Sequence, residues 1–357
     1  MADTSHGTGG LKFDKSKRAW PNELNILLAL IIIIVIFEII GQTAPYMRGQ
    51  SFLFDTKDRF DSIFNEARLK IIILQVAIIG IIALGVTQVI ITAGIDLSSG
   101  PLVAATAMIA MSFAQTELVN GNPNPKALFG SWAMDLPVMV PIVVGLLFGA
   151  VIGLINGAFI AFLKIPPFIA TLGMFLICRG IAQSWSGGNP VSFPTESYAF
   201  IGQGMNPVWW FLILAAIFHV IMRNTVYGKH TYAIGSNEEA ARMSGINVKR
   251  HKLMVYMIAA MLAAFAGIVL SSKAVTAQAG MGQFYELYAI AMAVIGGISL
   301  TGGRGSIIGT VLGAMVIGVI QSGFTYIKLD GSFQLIAMGG VIIAAVVLDQ
   351  YRQRNRV

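Results

Sequence analysis

The chain has 357 residues, of which 56% are hydrophobic and only 11% charged, with 24 Lys and Arg against 17 Asp and Glu. A soluble globular chain carries roughly 25% charged residues, so most of a water-facing surface is missing and the apolar excess must meet lipid. A lone cysteine excludes a disulfide framework, and nothing in the composition marks a secreted, stapled domain.

A spanning helix needs about 20 mostly apolar residues. Ten such runs follow one another, at about 25–41, 69–92, 97–115, 136–162, 166–184, 206–222, 253–272, 285–300, 306–327 and 332–348. The prediction is an all-α, polytopic membrane protein: a tail over 1–24, a membrane domain over 25–348 and a second tail over 349–357. The third and eighth runs and the last few are short or interrupted by glycine. The first lies behind Lys12, Lys15, Lys17 and Arg18 but lacks a clean small-x-small cleavage site, and is read as a true span. With the N-terminus inside, the inner segments hold fifteen Lys and Arg and the outer ones eight. That asymmetry places both ends inside, so the net charge of +7 is a topology signal and calls for no nucleic acid.

Inner connections are short except 223–252, which reads G-S-N-E-E-A-A-R-M-S-G-I at its centre. Ser236 with Glu239 fits a capping box, Glu238 and Glu239 suit the positive end of a helix dipole, and Gly245 suits a left-handed terminating position. The expected helix is about two turns long. Ala240 and Ala241 give it a low profile that fits a groove on another protein, although an ordinary capped linker has the same signals.

Four segments then carry a family resemblance: G-I-D-L-S-S-G (94–100), I-P-P-F-I-A-T-L-G (165–173), Y-A-I-G-S-N-E-E-A-A-R-M-S-G-I (232–246) and G-G-I-S-L-T-G-G-R-G-S (296–306). In this order, over roughly residues 70–350, they resemble the ribose, xylose and galactose type monosaccharide permeases of bacterial ATP-binding-cassette importers. The E-A-A-x-x-x-G pattern of Glu239 to Gly245 is similar to the loop that couples such permeases to their ATPase. The resemblance implies a type II importer-like fold in which spans two to five and seven to ten are inverted halves. It also implies a multi-pass inner-membrane subunit working as a homodimer, with a cytoplasmic ATPase of two nucleotide-binding halves and a soluble periplasmic sugar-binding protein. Ser236, Asn237, Glu238, Glu239, Ala240, Ala241, Arg242 and Gly245 become the coupling candidates. Which monosaccharide is carried is left to the binding protein.

The chain has no G-x-x-x-x-G-K-[ST] loop, since Gly302 to Ser306 is glycine-rich but contains no lysine, and it shows no metal-ligand spacing. The expectation is a transport subunit without cofactor, and not an enzyme. A self-sufficient facilitator or ion-coupled carrier is the rival reading; it calls for ionisable groups near the midplane. Glu38, Arg179 and Glu286 are the candidates. Counting places them in the outer third, as one ion-pair network or as side chains snorkelling to the interface.

Asp96 and Leu97 in the first glycine turn, and Pro166, Pro167 and Phe168 at the inner end of span five, are gate candidates. Broken backbone at membrane depth must be covered by protein or line a cavity, but paired prolines also simply start helices. The two heptapeptides at 94–100 and 297–303 resemble each other, which hints at a repeat without demonstrating inversion. An uncharged sugar calls for scattered amides and hydroxyls, supplied by Gln75, Thr87, Gln88, Thr92, Asn156, Thr171, Gln183, Gln321, Ser322 and Gln334; the same groups also serve as glue between helices. Gly145, Gly149, Gly153 and Gly157 form one smooth ridge that suits close packing against another helix.

Overall fold

The computed structural model describes residues 22–44, 51–54 and 65–354. The basic run from Lys12 to Arg18 and the middle of the long outer loop lie outside them. The ten apolar runs are ten helices: α1 (Asn22–Thr43), α2 (Glu66–Ile91), α3 (Ser99–Ser112), α4 (Met139–Ala161), α5 (Pro167–Ser184), α7 (Asn206–Asn224), α10 (Val248–Ala274), α11 (Tyr285–Ile295), α12 (Ile307–Tyr326) and α13 (Gly331–Arg354). Three short helices complete the set: α6 (Glu196–Phe200), α8 (Val226–Ser236) and α9 (Glu238–Met243). Seven of the ten are long and apolar enough to cross a bilayer alone, whereas α3, α11 and the apolar part of α13 are shorter.

Local chemistry sets the boundaries. Asn65, Asn247 and Ser306 each accept a hydrogen bond from the backbone amide three residues on, at 3.0–3.1 Å, capping α2, α10 and α12. Pro167 opens α5 and Pro207 opens α7, where a missing amide proton costs nothing. The α10 cap at Asn247 starts that helix five residues before the predicted span.

All fourteen residues of α3 are buried, as is most of α2, so these two helices and α10 form the centre of the bundle. By contrast α1 is peripheral and packs on α12. The glycine ridge of α4 faces α10 throughout. A Cβ would sit 3.0 Å from Ile268 at Gly145, 2.5 Å from Ala264 at Gly149, 2.5 Å from the Tyr256 carbonyl oxygen at Gly153 and 2.8 Å from Leu253 Cα at Gly157. Only glycine permits this antiparallel approach, the most extensive helix contact in the fold.

Two halves repeat one pattern. In each, a helix of 26 or 27 residues (α2, α10) gives way to a left-handed residue, Ala93 with φ 60° or Val275 with φ 54°. A short helix follows (α3, α11), then a long glycine-containing one (α4, α12), then a last helix (α5, α13). The halves exchange partners: α2 packs on α10, α11 and α12, and α10 packs on α2, α3 and α4. Gly85 meets Ala259 and Gly94 meets the Tyr256 hydroxyl, so α2 and α10 run antiparallel, which accords with inverted halves. The similar heptapeptides do not mark that repeat. One joins the first and second helices of its half, the other the second and third, and both lie at the face carrying α8 and α9.

At the opposite face the connections form a cap. Strands β1 (Leu118–Val119) and β2 (Asn122–Pro123) pair as one hairpin, and β3 (Val191–Ser192) pairs with β4 (Thr276–Ala277). Buried Gln115 ties them together, donating to the Lys126 and Ser192 carbonyls and accepting from the Leu128 amide. The fragment 51–54 also tucks in: Phe52 stacks between Phe37 and Tyr326, and Glu38 accepts from the Phe52 and Leu53 amides at 2.9 and 3.0 Å.

Candidate functional site: the α8–α9 face

The loop predicted over 223–252 consists of two helices and the first turn of α10. Thr225 caps α8, and α7 turns so sharply into it that a Cβ at Gly228 would lie 2.1 Å from the Met222 carbonyl oxygen. One residue, Asn237, separates α8 from α9. Its side chain accepts from the Ala240 amide at 2.9 Å, so Asn237 is the cap of α9. Here the structure corrects the capping-box reading. The Ser236 hydroxyl turns back to the Tyr232 carbonyl at 2.9 Å and is unavailable to the next helix, while Glu239 pairs with Arg242. Gly245 adopts φ +85°, the left-handed end the sequence called for.

Only Ala241 of α9 is buried, against Ile234 and Val248. Glu238, Glu239, Ala240, Arg242 and Met243 all face outward, Met243 at 83% exposure. Glu238 is joined to Lys252 at 2.6 Å, which fixes α9 to the start of α10. The result is a low, charged rod held by one alanine and one ion pair.

Beneath it, α8 makes close contact with the end of α2 and with the glycine-rich turn between α11 and α12. A Cβ on Gly235 would lie 1.7 Å from the Ile91 carbonyl oxygen at the end of α2. That oxygen accepts from the Gly303 amide at 2.8 Å, and a Cβ on Gly303 would lie 2.4 Å from the Ser236 hydroxyl oxygen. Tyr232 donates to the Gly305 carbonyl at 2.9 Å; burial pushes its hydroxyl pKa up, which keeps it a donor. Gly302, Gly303 and Gly305 have φ of +86°, +70° and +143°, so the turn between α11 and α12 needs glycine at each. Three chain segments thus meet at Gly235, Ile91 and Gly303 in close backbone approach, with the Ser236 and Tyr232 hydroxyls beside them. The sequence marked the residues of α9 but not Gly235 or this interlock; the glycines at 235 and 302–305 were the available signal.

The first glycine turn is tied to α4 and α5. Asp96, 1% exposed, accepts from the Ser98 amide at 2.8 Å and its hydroxyl at 2.6 Å, and Asn156 of α4 donates to the same hydroxyl oxygen at 3.0 Å. Thr171 of α5 is within 3.3 Å of the Ile95 carbonyl. Leu97 is half-buried, and Phe168 lies on the outer surface of α5 at 52% exposure, beside the helix start made by Pro166 and Pro167.

Most of the pathway candidates form helix contacts. Gln75 donates to Gln321 at 2.8 Å and Thr87 bonds Thr310 at 2.7 Å, both across α2 and α12. Gln88 accepts from the Tyr227 hydroxyl, Thr92 bonds within its own helix, and Gln334 donates to the Leu329 carbonyl. Ser322 is buried in α12. Of the set, Gln183 lines a cavity. Of the three intramembrane charges Glu38 stands apart, held by the 51–54 backbone, whereas Arg179 donates to the Ala279 and Met281 carbonyls and lines one cavity with Glu286. Among the described residues the ion pairs are Arg242–Glu239 and Lys252–Glu238, and no group of three or more His, Cys, Asp or Glu could hold a metal.

Comparison with known proteins settles the class. A family described as "Branched-chain amino acid transport system / permease component" matches residues 68–346. The chain belongs to this permease family. The permease is 36% identical to the ribose import permease protein RbsC of Haemophilus influenzae over 81% of this chain and 86% of that one. It is 35% identical to the galactose/methyl galactoside import permease protein MglC of Salmonella typhimurium over 96% and 98%, and 33% identical to RbsC of Escherichia coli K12 over 94% and 96%. No solved structure matches it. The permease is a multi-pass inner-membrane transport component and not itself an enzyme.

Proposed function

We propose that this permease is the membrane subunit of an ATP-driven importer of a monosaccharide, with both termini in the cytoplasm. Two copies form the translocating unit, each offering one α9 to one nucleotide-binding half of a separate ATPase. A soluble sugar-binding protein delivers ligand to the face capped by the β1–β2 hairpin and the β3–β4 pair. The observation that carries this reading is the interlock: α9 is exposed for docking, and α8 beneath it touches the end of α2 and the α11–α12 turn through close backbone approach at Gly235 and through the Tyr232 hydroxyl.

Contact of that kind transmits displacement with little slack. A push on α9 passes through Asn237 into α8, and from Gly235 to the Ile91 carbonyl and the Gly303 amide. Because α2 and α12 come from opposite halves, the same push acts on both, which suits rocking of one half against the other between outward-open and inward-open states. The names of the relatives, ribose and galactose import permeases, support the substrate class. Proteoliposomes holding the permease, its ATPase and its binding protein should accumulate labelled monosaccharide only with ATP inside. Uptake by the permease alone, without nucleotide, would instead establish a self-sufficient carrier.

A further inference from the structure

Between α10 and α11 the chain turns back into the bundle over 275–284. Gly282, with φ +67°, lies against Gly100 at the start of α3, where its Cβ would be 2.6 Å from the Gly100 carbonyl oxygen. Arg179 of α5 fastens this segment by donating to the Ala279 and Met281 carbonyls. Behind the segment is a cavity of about 260 Å³, lined by Phe175, Arg179, Gln183, Gln283, Phe284 and Glu286 among others. Glu286 is 4% exposed, and its Oε2 has no hydrogen-bond partner. A Cβ on Gly100 would lie 1.8 Å from that oxygen, so the carboxylate comes right up to the first turn of α3. Phe284 holds φ +64°, a left-handed conformation that strains a phenylalanine and is retained where surrounding structure imposes it.

We propose that this cavity is the permease's own sugar subsite, receiving the monosaccharide on its way from the delivering protein; the inference rests on the substrate class argued under Proposed function. Gln183 and Gln283 can each donate hydrogen bonds to sugar hydroxyls and accept from them, and Glu286 contributes to the same wall. The Arg179 guanidinium adds donors beyond those spent on the loop carbonyls. Phe175 and Phe284 provide apolar faces of the kind that meet a sugar ring's C–H surface. The volume lies just under the roughly 300–1,000 Å³ of pockets for drug-sized ligands, as befits a single ring. Because Arg179 also anchors the segment and Glu286 abuts α3, occupancy can be felt by both half-helices.

The test uses the complete importer in proteoliposomes, with labelled D-ribose and D-galactose and with L-leucine as the zwitterionic control. Gln183→Leu and Gln283→Leu alter exposed cavity-wall side chains. Each should lower sugar moved per ATP hydrolysed by about tenfold, the worth of 1.4 kcal/mol, while ATP turnover stays at the unmodified level. Gln283→Asn, which keeps an amide, should recover part of the loss. If the unmodified importer moves neither sugar, the substrate reading fails and takes the subsite with it. If it moves one of them and both leucine variants keep the original ratio of sugar to ATP, the subsite alone is wrong. Uptake of leucine that the same variants abolish, with no sugar uptake, would assign the cavity to an amino acid.

Discussion

Gly235→Ala places the smallest possible perturbation in the interlock. The added methyl would lie 1.7 Å from the Ile91 carbonyl oxygen and 2.6 Å from the Gly303 amide nitrogen, both backbone atoms that cannot rotate aside. Either α8 lifts away or the 2.8 Å hydrogen bond from Gly303 to Ile91 opens. Overpacking of this kind costs about 1–3 kcal/mol, and leaving a buried backbone pair unmade costs a similar amount, so by either route the local contact loses about 1–3 kcal/mol. Global folding rests on the α4–α10 and α2–α12 contacts and should survive. The expected phenotype is therefore a permease that inserts and binds its ATPase but no longer links hydrolysis to uptake. The assay pairs ATP turnover with sugar accumulation in proteoliposomes and compares membrane abundance. Uptake at the unmodified rate, with a normal number of sugars per ATP, would refute the claim that backbone contact at Gly235 transmits the stroke.

Further outcomes follow from other contacts. Gly153→Ala forces a Cβ to within 2.5 Å of the Tyr256 carbonyl oxygen and should lower thermal stability in detergent by about 1–3 kcal/mol, separating α4 from α10; an unchanged melting temperature would contradict the packing. Thr87→Val and Thr310→Val each break one buried hydroxyl pair at 2.7 Å, and a double-mutant cycle on unfolding should give a coupling of about 0.6 kcal/mol; zero coupling would mean that the pair is not formed. Asn237→Ala removes the α9 cap, worth about 1 kcal/mol, and should speed hydrogen exchange at the Ala240 amide, whereas Ser236→Ala should not. Equal acceleration by both would restore Ser236 as the cap.

The ten apolar helices were legible because lipid rewards long unbroken hydrophobic runs, and the runs at 69–92 and 206–222 match α2 and α7 to within three residues. The ridge on α4 was legible too, since a glycine every fourth residue has one structural use. Ser236 misled because both Ser236 and Asn237 are good caps, and the choice depends on where the preceding helix ends. With α8 continuing through Ser236, its hydroxyl returns to Tyr232 and Asn237 inherits the cap. Gln75, Thr87 and Gln88 show a different limit: a polar residue in a span reads the same whether its partner is a solute or another helix. Gln115 and the cap it organises were missed, because the paired segments 113–138 and 185–205 carry no periodic signal and are joined by contacts distant in sequence.

The central claim is that α9 is the element through which an external ATPase drives the membrane helices. Cysteine placed at Met243, 83% exposed on α9, and cross-linked to the ATPase subunit in inner-membrane vesicles tests it most directly. The account predicts efficient cross-linking to that subunit, with a yield that changes between nucleotide-free and ATP-bound states, and with modification only from the cytoplasmic side. A cysteine at Met243 that labels solely from the opposite side, or that never reaches the ATPase in an importer still moving sugar, would contradict it.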